Sequence, residues 1–274
     1  MHSSETFTRR AQSGAAHRIS LWLPPGTPPA GGWPAVYVLD AGAMFATVAE
    51  AVKRSGRRPD ATGVGMAAVV GIAPCEPNEE GERLAVASRY RDYTFEASRR
   101  VEVETSGGGA AFLAFIADEL VPELTRDYGL SHHHRMLFGH SLAGYFVLNA
   151  LAQRPCVFTH YAAISPSVWW HPEALAERLE GLDRASAEGI SGVLVAVGEW
   201  EGEPAPWLAG SPTLESVMQR RRERQMIGRA RATAAQLTQK LGERRVQWRC
   251  FSEEDHASIV MIGIQRSLRL MFGA

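Results

Sequence analysis

Short apolar blocks recur along the chain, and their patterns predict strands separated by helices. Residues 17–23 (HRISLWL) alternate between apolar and polar side chains, as a strand with one covered face does. Residues 35–40 (AVYVLD) and 66–74 (MAAVVGIAP) are continuous apolar runs, which are typical of strands buried on both faces of a parallel sheet. Short apolar segments also predict strands at 134–140, 160–166, 192–199 and 246–254.

Helical periodicity fills most of the segments between these strands. An amphipathic helix is predicted over 111–128. The apolar residues of 45–55 also recur with the spacing of a helix. Further helices are predicted over 172–181, about 213–242 and 257–272. Strands that alternate with helices indicate a mostly parallel central sheet with helices on both faces. Because there is no internal repeat and no long low-complexity linker, we expect one α/β domain over residues 1–274.

Composition and charge limit the kinds of ligand and partner that this protein is expected to bind. The 274 residues are 45% hydrophobic and 22% charged, with a formal net charge of -1, which is typical of a globular protein. This balance gives no reason to expect nucleic acid as a partner, and the arginine run at 220–231 is interpreted as a solvated helix face. Three scattered cysteines do not predict a disulfide framework or a zinc site. Residues 131–135 (SHHHR) are interpreted as a surface turn, so no metal and no other cofactor is expected.

The N-terminal residues contain no apolar segment of the kind found in signal peptides. No apolar run is long enough to span a bilayer, so no membrane partner is expected. With nothing to direct export, we expect a cytoplasmic protein whose thiols are free.

Residues 136–151 (MLFGHSLAGYFVLNAL) place Ser141 on a tight turn between a predicted strand and a predicted helix. That context is the one in which G-x-S-x-G forms a nucleophile elbow, although the fifth residue of the motif is Ala143 here. Ser141 is therefore the candidate nucleophile. The alternative is an ordinary serine in a glycine-containing bend.

A nucleophilic serine needs a base and an orienting acid. In hydrolases with a nucleophile elbow the chain order is serine, acid and histidine, and the histidine follows the last strand. His256 occupies that position and is the candidate base. The acid is expected after the strand at 192–198, where a turn at Gly198 lets Glu201 reach back toward the histidine loop; Glu199 is the alternative.

Two backbone N–H groups are candidates for an oxyanion hole. Leu142 follows the serine at the N-terminus of a predicted helix, where partial positive charge favours a developing oxyanion. The second donor is expected just after an early strand, at Gly42 or, failing it, Ala41.

Several motifs between about residues 30 and 270 resemble the putative-esterase branch of the α/β-hydrolases. They are YVLDAGAMF, VVGIAP, SRYRDYTF, SGGGAAFLAFIADELVPEL, GHSLAGYFVL and SPSVWW, in the right order. The strongest resemblance is to the trilactone siderophore esterases that cleave ferric enterobactin and salmochelin. It implies an α/β-hydrolase fold with Ser141 as nucleophile and His256 as base. Some such esterases use a Ser-His dyad, which leaves Glu201 open, and residues 40–42 (DAG) depart from the family's D-G-N.

The resemblance also implies an imported ferric siderophore ester as the substrate. A ferric tricatecholate is a large anion with aromatic rims, which arginines and tryptophans can bind. Arg89 matches a position near the family's cleft, and with Arg91 and the Trp169–Trp170 pair it is a candidate for such a rim. The alternative is that the arginines pair with Asp92 or Glu96 and the tryptophans fill the core.

Two other functions remain open. The same catalytic residues could hydrolyse another small-molecule ester, such as a feruloyl or acetyl ester, or a thioester. A non-catalytic binding module on a hydrolase fold is the third possibility, which the presence of both Ser141 and His256 disfavours.

Overall fold

An eight-stranded sheet forms the centre of the computed structural model, which describes residues 4–75, 81–97, 103, 105–183 and 185–273. The strands are β1 (Ser4–Arg10), β2 (Ala16–Trp22), β3 (Trp33–Leu39), β4 (Ala68–Pro74), β5 (Leu130–His140), β6 (His160–Ile164), β7 (Gly192–Gly198) and β8 (Val246–Phe251). Their order across the sheet is β1-β2-β4-β3-β5-β6-β7-β8. The β1–β2 and β2–β4 pairs are antiparallel and the others are parallel, so the predicted mostly parallel sheet is confirmed.

Two strands differ from the predictions. Strand β1 was not predicted because it lies at the edge of the sheet and is largely exposed, so it carries no apolar run. Strand β5 begins at Leu130, which makes the interpretation of residues 131–135 as a surface turn wrong. Leu130 pairs with Trp33 of β3 and Arg135 pairs with Ala35, and the register is irregular between these two pairs. In the described part of the chain, no group of three or more His, Cys, Asp or Glu side chains could hold a metal ion.

Helices cover both faces of the sheet, as predicted. They are α1 (Ala41–Ser55), α2 (Pro59–Thr62), α3 (Gly81–Tyr93), α4 (Gly109–Ala114), α5 (Val121–Tyr128), α6 (Leu142–Gln153), α7 (Pro172–Glu180), α8 (Leu214–Arg224), α9 (Met226–Leu241) and α10 (Ile259–Phe272). A π-helical segment, Phe115–Leu120, joins α4 to α5, which matches the helix predicted over 111–128. No helix within the described ranges has both the length and the apolar character to cross a membrane.

The single helix predicted over 213–242 is two helices. They meet at Gln225, whose left-handed backbone (φ 47°) ends α8. Ala230, Ala234 and Leu237 are buried on the apolar face of α9, whereas α8 has no buried residue. The sequence has helical propensity throughout, but only its second half has an apolar face to pack on the sheet.

Alternate residues of the central strands pack into separate cores on the two faces of the sheet. Tyr37 and Leu137 belong to one core, and Val38 and Phe138 belong to the other. Full burial of such side chains stabilises the fold by roughly 1.5–3 kcal/mol each. Because β3, β5, β6 and β7 run parallel, their carboxyl ends meet at one edge, where parallel sheets place their ligand sites.

Candidate active site

Ser141 lies on the sharp turn between β5 and α6. Its backbone (φ 59°, ψ -118°) is in a sparsely populated region for a residue with a side chain, at a cost of about 1–3 kcal/mol. Two backbone hydrogen bonds hold the turn: the Ser141 N–H donates to Ile164 O at 2.9 Å, and Ser141 O accepts from the Ser167 N–H at 2.9 Å. The turn is thus fixed by the last residue of β6 and by the segment that follows it.

Close packing of α6 on β5 explains the glycine before the turn. A Cβ on Gly139 would lie 2.5 Å from Ala143 O, so this position excludes any side chain. Ala143, which replaces the usual glycine of the motif, is fully buried and its methyl group is accommodated. The departure from G-x-S-x-G therefore leaves the turn in place.

A continuous hydrogen-bond path joins the three residues predicted to act together. His256 Nε2 lies 3.1 Å from Ser141 Oγ, and His256 Nδ1 lies 2.8 Å from Glu201 Oε2. Since the carboxylate only accepts, Nδ1 carries the proton and Nε2 is free to accept from the serine hydroxyl. The Glu201 side chain is 2% exposed and the His256 side chain is 46% exposed, so the path runs from the interior to the cleft.

Glu201 is held by more than the histidine. It ends the 3₁₀ turn Glu199–Glu201 after β7, and its Oε1 accepts from the Gly198 N–H at 2.9 Å and from the Ser165 hydroxyl. Burial alone would raise the pKa of this carboxyl, but the hydrogen bonds from His256, Ser165 and Gly198 hold the pKa below its usual range. The carboxylate is therefore ionised at neutral pH and fixed in orientation. Ser165 belongs to the SPSVWW motif, but no pattern in the sequence predicted its contact with Glu201.

Glu199, the alternative acid, has a different contact. Its Oε2 accepts from the backbone N–H of Glu253 at 3.0 Å, so it supports the loop that carries His256. Glu201 rather than Glu199 thus contacts the imidazole.

The loop carrying His256 is held in place by two neighbours. His140 Nε2 lies 2.7 Å from His256 O, and the Trp200 N–H donates to Glu254 O at 3.0 Å. Burial, with a smaller contribution from the adjacent His256, lowers the pKa of His140 to about 4. His140 is therefore neutral at neutral pH, and its Nε2–H donates to the carbonyl. Nothing in the sequence pattern predicted this contact, because it joins positions far apart in the chain.

The two oxyanion candidates lie at helix N-termini. Leu142 is the first residue of α6. The chain after β3 turns at Asp40, which has a left-handed backbone (φ 52°), and α1 begins at Ala41. Ala41 and Gly42 therefore lie in the first turn of α1, where N–H groups have no intrahelical acceptor. Gly42 lines a cavity of about 340 Å³, and both donors remain predictions.

A cleft of about 350 Å³ opens over Ser141 and His256. Its aromatic and basic lining comes from Arg89, Tyr90, Trp169, Trp200, Arg220, Arg221 and Arg224. A larger cavity of about 530 Å³, lined by Arg135 and Cys156, shares none of these residues. The interpretation of the arginine run as a solvated face is therefore incomplete, because three of its members face this cleft.

Arg89 lines the cleft but is paired. Its Nε and Nη2 donate to the two carboxylate oxygens of Asp40 at 2.7 and 2.8 Å. The proposed pairing with Asp92 or Glu96 is wrong for Arg89, because Asp92 pairs with Arg91 and Glu96 with Arg178.

The two tryptophans have separate roles. Trp169 lines the cleft although only 7% of its surface is exposed. Trp170 lies in the core, stacks on Tyr90 with ring centroids 5.3 Å apart, and donates from Nε1 to Glu96 O at 2.9 Å. The rim interpretation thus fits Trp169, and the packing alternative fits Trp170.

Comparison with known proteins identifies relatives. Residues 11–235 match the model of a family described as Putative esterase. The chain is 36% identical over 196 residues to the ferri-bacillibactin esterase BesA of Bacillus subtilis, an alignment that covers 68% of this chain and 66% of that protein. It is 26% identical over 249 residues to a siderophore triacetylfusarinine C esterase of Aspergillus fumigatus, covering 87% and 81% of the two chains.

Solved structures match nearly the whole chain. The BES protein from Bacillus cereus superimposes with a TM-score of 0.81 at 26% identity, covering 99% of this chain and 96% of that one. The siderophore hydrolase EstB from Aspergillus nidulans superimposes with a TM-score of 0.83 at 23% identity, again covering 99% of this chain and 96% of that one. These similarities confirm the predicted α/β-hydrolase fold.

Proposed function

Because this chain belongs to the Putative esterase family, and is therefore a carboxylic ester hydrolase, we propose that it acts through Ser141, His256 and Glu201. The observation that supports this proposal is the hydrogen-bond path from the buried Glu201 carboxylate through His256 to the Ser141 hydroxyl. A serine with no base would be a poor nucleophile, and here the base is within hydrogen-bond distance.

The proposed reaction has two halves. Ser141 Oγ attacks the ester carbonyl while His256 Nε2 takes its proton, and the oxyanion accepts hydrogen bonds from the N–H groups of Leu142 and Gly42. The intermediate collapses, the alcohol leaves with the proton from His256, and an acyl group remains on Ser141. Water then attacks the acyl group with His256 as base, which releases the acid and restores the serine. Glu201 remains ionised and stabilises the imidazolium in both halves.

The proposed substrate is an imported ferric siderophore ester, hydrolysed in the cytoplasm. Two observations support this choice: the relatives described above are named as a ferri-bacillibactin esterase and a siderophore triacetylfusarinine C esterase, and the cleft carries arginines beside Trp169 and Trp200. Arginine and tryptophan side chains suit an anionic ligand with aromatic rings.

The test is to incubate the purified protein with p-nitrophenyl butyrate, ferric enterobactin and a feruloyl ester, and to identify the products by mass spectrometry. We expect ring-opened and monomeric acids from the ferric trilactone at a higher kcat/KM than for either small ester. Turnover of the small esters alone would reject the siderophore substrate, and turnover of none would reject the esterase.

A further inference from the structure

Helix α8 presents one face to the catalytic cleft. Val217, Arg220, Arg221 and Arg224 all line the cleft, at positions i, i+3, i+4 and i+7 of the helix. This spacing places the four side chains on a single face. Because α8 buries no residue, these arginines are not required to cover the core.

Two of the three arginines on this face have no carboxylate partner within the described part of the chain. Among the described residues, neither Arg220 nor Arg224 forms a salt bridge to a carboxylate. The Arg224 guanidinium lies 4.5 Å from the centroid of the Trp169 ring, and Arg221 Nη1 donates to the backbone oxygen of Glu203 at 2.7 Å. The cleft therefore has a positively charged wall with an aromatic surface beside it.

The neighbouring arginines provide the contrast. Arg89 lines the same cleft, but Asp40 neutralises it through two hydrogen bonds. Arg222 lies on the other face of α8, outside the cleft lining, and pairs with Glu215 at 2.8 Å. The unpaired positive charge near Ser141 thus comes from α8 and not from the position that the sequence resemblance suggested.

A positively charged wall distinguishes substrates by charge. Iron displaces the hydroxyl protons of the catechols that it binds, so a ferric catecholate complex is anionic while its iron-free form is neutral at pH 7. We propose that Arg220 and Arg224, assisted by Arg221, select the ferric, anionic form of a catecholate ester over the iron-free form. This inference rests on the proposed function, since it assigns specificity within the same cleft.

The experiment compares Arg220→Gln and Arg224→Gln with the matched control Arg222→Gln. All three variants remove one charge from the same helix, and only the first two alter the cleft wall. The readout is the ratio of kcat/KM for ferric enterobactin to kcat/KM for iron-free enterobactin. We expect each cleft variant to lower this ratio by about five- to tenfold, and the control to change it by less than about twofold. Added salt should lower the ratio in the wild type more than in the cleft variants.

The outcomes distinguish a failure of the role proposed for α8 from a failure of the proposed function. If the wild type hydrolyses both forms and the cleft variants keep its ratio, the role of α8 is rejected while the esterase stands. An equal fall in all three variants would indicate a general effect of net charge and would also reject it. If the wild type hydrolyses neither form nor a small ester, the proposed function itself fails. Circular dichroism and urea unfolding verify that each variant keeps the overall fold of the wild type.

Discussion

The two sides of the cleft are built in different ways. On the sheet side, Glu201 and Ser165 are buried, and both Glu201 oxygens accept hydrogen bonds from fixed donors. On the other side, α8 has no buried residue, and its cleft-facing arginines have few partners. Buried, hydrogen-bonded groups hold a geometry, whereas exposed charges alter binding with little effect on folding. In the proposed mechanism the sheet side supplies the catalytic groups, and α8 supplies the proposed discrimination between substrates.

Ser141→Ala tests the sheet side most strongly. The substitution removes the attacking oxygen and should lower kcat by on the order of 10⁶. Stability should change little, by less than about 0.5 kcal/mol, because alanine has the same Cβ in the same strained turn. Hydrolysis of p-nitrophenyl butyrate and urea unfolding measure the two effects. A variant that retains a tenth of the activity would show that Ser141 is not the nucleophile.

Glu201→Gln should have the next largest effect. The amide no longer stabilises the imidazolium and can leave His256 in the wrong tautomer, so kcat should fall by on the order of 10²–10⁴. Glu199→Gln is the matched control, since Glu199 contacts the Glu253 backbone and not the imidazole. Its kcat should remain within about fivefold of the wild type. Equal, small effects of both changes would instead support a Ser-His dyad.

The sequence predicted the parts of this site that depend on order along the chain. Ser141 follows a buried strand, and His256 follows the last strand, so their positions at one sheet edge could be inferred from topology. The choice between Glu199 and Glu201 depends on how a 3₁₀ turn directs two side chains, and periodicity contains no information about that. Contacts between distant segments, such as Ser165 with Glu201 and the α8 face with the cleft, could not be predicted because they depend on the tertiary fold.

A pair of glycine substitutions compares a closely packed position beside the histidine loop with an open position on α9. A methyl group on Gly198 would overlap Glu254 O, so Gly198→Ala should displace the loop that carries His256. We expect a loss of roughly 1–3 kcal/mol in the free energy of unfolding, together with a lower kcat. Gly228 lies in α9, and apart from the neighbouring backbone of that helix no atom lies within 4 Å of the position that an added methyl group would take, so Gly228→Ala should stabilise by about 0.5–1 kcal/mol. Urea unfolding should show opposite signs, and a loss from both would contradict this assignment.

A pH-dependent loss of stability is expected from His140, which supports the histidine loop. Burial holds the folded-state pKa of His140 at about 4, below the ordinary value of about 6.5 expected when the chain is unfolded. Protonation therefore favours the unfolded state. The stabilisation is complete above about pH 6.5 and is lost as the pH falls toward about 4. The loss attributable to this group is roughly 1–3 kcal/mol.

His140→Gln keeps an N–H donor for His256 O but removes the titration, so its unfolding free energy should fall less steeply between about pH 6.5 and 4. Part of the slope should remain, because burial also lowers the pKa of His160 to about 4. The matched control is His133→Gln, which changes an exposed ring on β5 and should keep the wild-type slope. Urea unfolding at a series of pH values measures all three proteins. Parallel curves for the wild type and His140→Gln would mean that His140 does not resist protonation, and that the histidine loop depends on its other contacts.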